Sequence, residues 1–332
     1  MSLDHGGRLQ QAVVRFGRPA AQWLDLSTGI NPIGWPVPPL PAAVWNRLPE
    51  EEDGLLPAAQ AYYGCRSLLA VAGSQAAIQL LPHLRPPTRV ALPEKGYAEH
   101  RRAWQRAGHR VESYPNGDPA AIEALLERAE VLLLINPNNP GGERYAPELM
   151  RRWHRRLAAR GGWLVVDEAF IDPTPEQSLA QPDPPPGLLI LRSVGKFFGL
   201  AGVRAGFVLA EASLCQALAQ RLGPWSVSHP ARWVCTRALQ DGDWQRQARQ
   251  RLRADGARLG TLLAGLNPDK IAGCALFQTL YHAEAGRLHR QLAEGGILTR
   301  AFEPPGLLRV GLPGTPAAWQ RLEAALAALA GN

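Results

Sequence analysis

VLLLINPNNPGG, residues Val131–Gly142, is the stretch that decides the class of fold. Its first five residues are apolar without a break. That run is too short for an independent helix and is bounded at once by a turn, so it reads as a strand buried on both faces, as in a parallel sheet. Asn136-Pro137-Asn138-Asn139-Pro140-Gly141-Gly142 then forces a tight turn, because Pro fixes one backbone angle and Gly and Asn tolerate unusual ones. A buried strand running straight into a polar turn is the place where α/β sheets carry their ligands.

Outward from this stretch the same alternation repeats. The spacing predicts helices over 56–63, 76–84, 97–107, 118–128 and 147–160. It predicts strands over 67–72, 89–92, 110–114, 163–166, 188–192 and 204–209. Short strands alternating with longer helices indicate a layered α/β domain with a mainly parallel central sheet. Residues 1–54, rich in Gly and Pro, are expected to be mostly extended. An Arg-rich helical stretch after about 235 leads to a smaller α+β region with strands near 275–281 and 307–311. The expected division is a large domain over 30–235, with 1–29 and 236–332 forming an N-terminal arm and a small domain. No internal repeat is visible.

The chain has 332 residues and a net charge of +7. Only Lys95, Lys196 and Lys270 are lysines, so arginine carries almost all the positive charge. It is dispersed over helices such as 101–110, 151–160 and 246–258, which suits solvated helix faces better than a nucleic-acid-binding tail. No nucleic-acid reader motif occurs. Cys65, Cys215, Cys235 and Cys274 are isolated, with no zinc spacing, and read as reduced thiols; no metal site is expected. The start lacks a basic region followed by an apolar run, and no apolar run is long enough for a bilayer. A cytoplasmic protein with no membrane contact is the expectation.

Lysine is scarce, yet one stands in Ser193-Val194-Gly195-Lys196-Phe197-Phe198-Gly199-Leu200, just after a strand and among apolar neighbours. Desolvation lowers the pKa of such an amine and makes it nucleophilic. Asp167 ends the strand Gly162-Trp163-Leu164-Val165-Val166-Asp167, where a carboxylate is costly unless it meets a cation. A protonated pyridine nitrogen is one such cation; a helix cap or a magnesium ion are others. Donors for a phosphate lie at Gly73-Ser74-Gln75, which opens a helix, at Ser193, and at Arg204. There is no GxxxxGK[ST] loop.

Taken together, Asn136-Pro137-Asn138-Asn139-Pro140, Asp167-Glu168-Ala169-Phe170 and Ser193-x-x-Lys196 with Arg204 resemble the signature set of pyridoxal-phosphate (PLP)-dependent aminotransferases. Their order and spacing are most similar to the histidinol-phosphate aminotransferase group. The resemblance implies the aspartate-aminotransferase fold, PLP as cofactor and a homodimer. It makes Lys196 the lysine that holds the cofactor covalently and Asp167 the partner of the ring nitrogen. It makes Asn136 the donor to the ring hydroxyl and Tyr97, in Gly96-Tyr97-Ala98-Glu99-His100, the aromatic that stacks on the ring. Ser74, Gln75, Ser193 and Arg204 would hold the cofactor phosphate. Two departures stand out: Phe170 where many relatives have Tyr, and Arg47-Leu48-Pro49 where many have Arg-Tyr-Pro.

The N-terminal residues His5-Gly6-Gly7 and Asp25-Leu26-Ser27-Thr28-Gly29-Ile30-Asn31-Pro32-Ile33-Gly34 resemble the threonine-phosphate decarboxylase branch of that superfamily. This implies a small phosphorylated amino acid, L-threonine O-3-phosphate, as substrate and decarboxylation as the reaction. The neighbouring alternative is an aminotransferase acting on histidinol phosphate or a similar amine. By the same resemblance Arg300 and Arg309 would bind substrate anions, with His5, Gly6, Gly7 and Asn31 as further substrate contacts. A nine-residue gap lets the two arginines face one site from adjacent strands.

Overall fold

The computed structural model describes residues 6–302 and 306–330. Strands are numbered along the chain as β1 (Leu24–Asp25), β2 (Leu68–Val71), β3 (Arg89–Pro93), β4 (Arg110–Tyr114), β5 (Val131–Ile135), β6 (Trp163–Asp167), β7 (Leu188–Ser193), β8 (Gly206–Leu209), β9 (Lys270–Cys274), β10 (Phe277–Tyr281), β11 (Ile297–Leu298), β12 (Arg300–Phe302) and β13 (Leu307–Gly311). Seven of them form one sheet in the order β2-β8-β7-β6-β5-β3-β4. The pairs from β7 through β4 are parallel, and β8 alone runs antiparallel to both its neighbours. The reason lies in the connection. Only 12 residues separate β7 from β8, and they hold no helix long enough to cross back over the sheet, so the chain returns antiparallel.

Every residue of β5, β6 and β7 is buried. Helices cover both faces and enclose two apolar cores. One contains Leu132, Leu164 and Phe207; the other contains Val131, Val165 and Trp104. The carboxyl ends of the three central strands therefore lie side by side. They deliver the turn at Asn136, Asp167 with Glu168, and Ser193 with Lys196 to one edge. A second, antiparallel sheet, β12-β13-β10-β9, packs beside this edge, and the 23-residue helix Gly242–Ala264 packs on it.

Three local readings change. Leu9–Phe16 is a helix, not extended chain. Leu9, Ala12, Val13 and Phe16 recur at helical spacing and close a small core with Trp23, Ala293 and Leu298. Lys270–Cys274 is an additional strand, held by pairing with β10 despite its glycine. Arg204 lies outside its expected strand, in the left-handed region at φ 56°, and β8 begins two residues later. Among the described residues no helix is long and apolar enough to cross a membrane.

Candidate active site

A cavity at the carboxyl ends of β5, β6 and β7 is lined by Ser74, Gln75, Tyr97, Asn139, Asp167, Phe170, Ser193, Lys196 and Arg204. Lys196 sits in the single helical turn after β7, which Ser193 caps by accepting the Gly195 N–H at 3.3 Å. Its amine faces the Phe170 ring at 5.6 Å. Burial, then Arg309, push its pKa down to about 8, with Asp167 opposing. The amine therefore loses its proton far more readily than a solvated lysine does, a property of the fold and not of lysine itself.

Asp167 is 4% exposed. One carboxylate oxygen accepts the Ala169 N–H at 3.0 Å, and the other lies 2.8 Å from Nε2 of His100. His100, also buried, has no assigned role in the sequence reading. A signal existed: Tyr97 and His100 are three apart at the start of the helix Ala98–Arg106, hence on one face. The Tyr97 ring meets His100 edge-on at 6.1 Å, and its hydroxyl donates to Gln75 Oε1 at 3.0 Å. Burial, with Glu99 and Asp167 nearby, raises the Tyr97 pKa to about 12, so it stays a phenol.

The turn after β5 requires a correction. Asn136 is wholly buried behind the cavity, and its Oδ1 accepts the Tyr145 N–H at 2.9 Å. Its side chain turns back to tie down the loop, and Asn139, three residues on, lines the cavity instead. The sequence shows three asparagines within four residues and does not say which one the turn presents.

At the opposite end, the chain between β2 and the helix Ser74–Leu80 packs against Arg204. A Cβ on Gly73 would stand 2.8 Å from Arg204 Nη2, and one on Gly206 would stand 2.8 Å from the Ser74 nitrogen. Gly73 also has φ +73°, a conformation that favours glycine there. Gln75 reaches Tyr97 and, through Nε2, Glu99 at 3.1 Å.

The smaller sheet brings two arginines close to the cavity. Arg300 and Arg309 are direct partners across β12 and β13. Arg309 is buried, and its hydrogen bonds go to neutral acceptors: Asn139 Oδ1 and, at 2.6 Å, the Ser27 carbonyl. Its Nε has no partner among the described residues. Burial and the facing Arg300 push its pKa down to about 9, the mark of a cation that an incoming anion would relieve. Gly6 packs so closely on Ser27 that a Cβ would lie 2.4 Å from that carbonyl, and the Gly7 N–H donates to Ser27 Oγ at 2.8 Å. Gly29 is pressed against Phe170 and Phe277, which meet edge-on at 5.2 Å. His5 lies outside the described residues.

Asn31 differs from expectation. Its Nδ2 donates to the Phe197 carbonyl at 2.8 Å, and its Oδ1 accepts from Ile33 and Arg251. Its backbone N–H also binds the Lys196 carbonyl at 3.0 Å. Its side chain and backbone hold the Lys196 turn in place, and both side-chain polar atoms are engaged there.

The donor set suits PLP. A carboxylate backed by a histidine stands at one end, a guanidinium with hydroxyls and a glycine cradle at the other, and a desolvated amine between them. Residues 58–327 match the family described as aminotransferase class I and II. The chain is 52% identical to a threonine-phosphate decarboxylase of Pseudomonas aeruginosa, over 98% of this chain and 97% of that one. It is 40% identical to another from a Sinorhizobium species, over 98% of each. The histidinol-phosphate aminotransferase of Sinorhizobium meliloti, solved in complex with PLP, shares the fold with a TM-score of 0.84, at 20% identity over 99% of this chain and 96% of that one. By the extent of these matches, the chain belongs to the aminotransferase class I and II family.

Proposed function

We propose that this chain is a PLP-dependent decarboxylase that converts L-threonine O-3-phosphate to carbon dioxide and 1-amino-2-propanol O-2-phosphate. The observation that carries the reading is the anion-binding pair beside the amine. Arg309, buried and, among the described residues, bonded to neutral acceptors, faces Arg300 across a strand pair, and both bear electrostatically on Lys196. A doubly anionic amino acid fits that field. The near-full-length relatives at 52% and 40% identity are both threonine-phosphate decarboxylases.

When bound, PLP supplies a ring that accepts the electron pair left when the carbon–carboxylate bond breaks. The chain's residues do the rest. Asp167, fixed by Ala169 and His100, would be the carboxylate that keeps the ring nitrogen protonated. Asn139 would donate to the ring hydroxyl, and Ser74, Ser193 and Arg204 would hold the cofactor phosphate; all four line the one cavity. Lys196 would deliver a proton to the substrate α-carbon in place of the carboxylate that has left. Phe170 and Phe277 keep water from that carbon. Arg300 and Arg309 orient the substrate so that its carboxylate stands where it can leave.

The deciding experiment is incubation of the PLP-loaded protein with threonine phosphate and no 2-oxo acid. Carbon dioxide and the amine phosphate are expected in equal amounts. Product formation that depends on a 2-oxo acid, with no carbon dioxide released, overturns the reading in favour of transamination.

Substrate anchoring gives a second test. Arg309→Ala or Arg300→Ala removes a charge-assisted contact, which contributes about 1.5–3 kcal/mol and corresponds to a rise in substrate KM of about 10- to 150-fold. PLP affinity should change far less. An unchanged KM in both variants places these residues outside the substrate site. Deletion of residues 1–7 removes the contacts of Gly6 and Gly7 with Ser27. It should weaken binding of threonine phosphate more than binding of unphosphorylated threonine. Equal losses, or none, exclude the segment from the phosphate contact.

A homodimer fits the surface. Trp45, Leu48 and Trp225 are exposed, and His229 bonds the Arg47 carbonyl, which draws the two segments together. We infer that a second copy covers them; a monomer in sedimentation velocity at micromolar concentration argues against it.

A further inference from the structure

Directly behind the cofactor cavity lies a buried ionic network that the proposed chemistry does not use. Side chains alternate along a strand, so the residue beside each cavity-facing one points to the opposite face. Arg192 stands so beside Ser193 in β7, and Glu168 directly follows Asp167 at the end of β6; Asp172 joins them from the turn after Phe170, outside any strand. Behind the cavity these meet. Arg192 Nη1 donates to Glu168 Oε2 at 3.2 Å, and its Nη2 donates to Asp172 Oδ1 at 2.5 Å. Glu168 also accepts from the Leu179 N–H at 2.8 Å and from Ser178 Oγ. Asp172 accepts from Tyr62 Oη at 2.9 Å. Arg249, from the long helix, binds the Asp172 carbonyl at 2.9 Å and Tyr62 Oη at 3.3 Å. The Arg192 guanidinium lies 4.6 Å over the Tyr63 ring. Glu168, Asp172 and Arg192 are 0%, 1% and 3% exposed.

A buried ion pair is weak evidence for stability, since an apolar replacement of the same size often serves as well. Its better attested use is to fix one arrangement among several. Here it spans two separate strand ends. Glu168 and Asp172 flank Phe170 on the segment that starts with Asp167, while Arg192 precedes Ser193 and Lys196. The geometry points to Arg192, with Glu168 and Asp172, as a positioning set that fixes the spacing of Asp167 and Phe170 from Lys196 across the β6–β7 seam.

This inference rests on the PLP reading of the cavity, so its test separates the two. Wild-type protein that takes up no PLP contradicts that reading itself. If the wild type binds PLP, two variants follow: Arg192→Met, and the charge-balanced Arg192→Met/Asp172→Asn. The second leaves Glu168 as the remaining carboxyl. Burial already raises its pKa, with Arg192 opposing, so it can go neutral in the variant. That variant keeps the test open if Arg192→Met alone fails to fold.

Three readouts are taken on folded protein: kcat and KM, the midpoint of the pH-dependent absorbance of bound PLP, and the pH dependence of Lys196 labelling in cofactor-free protein. Displacement of catalytic groups by a fraction of an ångström is expected to lower kcat by about 10- to 100-fold with KM changed by less than about threefold. Both pH midpoints are expected to move by about half a unit or more, since Lys196 would no longer sit at the same distance from Asp167. Variants that lose thermal stability but keep wild-type kcat and both midpoints show the network to be structural only and overturn the inference.

Discussion

Lys196→Ala is expected to give a folded protein whose turnover is lower by about four orders of magnitude, because on the proposed reading it lacks the group that would protonate the α-carbon and hold the cofactor. The backbone should tolerate the change. Lys196 follows a strand whose partners are set by Leu188–Leu191, and its helical turn is held by the Ser193 cap and by Asn31, not by its own side chain. Borohydride should fix PLP to Lys196 in the wild type and to no residue in the variant; peptide mapping that finds the adduct on Lys95 or Lys270 would falsify the assignment. The same residue sets a pH dependence. Burial penalises the ammonium form, so the amine loses its proton at a lower pH than a solvated lysine does. Labelling of Lys196 in cofactor-free protein should therefore rise through about pH 8. A midpoint near that of a free lysine would mean that the amine is solvated and that Phe170 and Arg309 do not enclose it.

Asp167→Ala ranks next in expected effect. The end of the cavity at Gly73, Ser74 and Arg204, proposed to hold the cofactor phosphate, is remote in sequence from Asp167 and untouched by the change, so a substantial part of PLP binding should persist. Turnover should fall by about two to three orders of magnitude, as when a preorganised electrostatic contact is removed from a reacting group. The loss should appear in kcat, because the carboxylate matters most when charge develops on the ring. His100→Phe keeps the ring volume and removes only the 2.8 Å contact to Asp167. A loss of about tenfold is expected, the size of one hydrogen bond to a charged group. Near-normal turnover in Asp167→Ala would make the carboxylate a structural cap for the Ala169 turn.

Much of the fold is legible because its strands carry their own signal. The expected bounds 110–114, 131–135 and 307–311 are those of β4, β5 and β13. Each is a short strand-like run ended by a turn residue or a proline, and for β5 and β13 burial on both sides permits little else. The helix Leu9–Phe16 is less legible, since it is only eight residues long and its neighbours are Gly and Pro. Strand β9 is less legible still: Gly273 weakens any local preference, and only the ladder with β10 makes it a strand.

The site divides in the same way. The sequence by itself determined the chemistry on offer: one lysine in an apolar turn, a carboxylate at a strand end, and a glycine-opened helix with an arginine to spare. These are properties of residue type and local order. It also determined that the three lie at strand ends of one sheet, because the alternation of strands and helices leaves no other place for them. Only the tertiary structure decided which neighbours are used. Asn139 and not Asn136 lines the cavity, because the turn folds Asn136 back onto Tyr145. Asn31 is drawn onto the Lys196 turn, across 166 residues of sequence. His100 reaches Asp167 across 67 residues, and Arg309 reaches Ser27 across 282. The physical reason is that the direction of a loop side chain and the state of a buried charge depend on what closes over them. Those are groups far away in the chain, which local sequence cannot name.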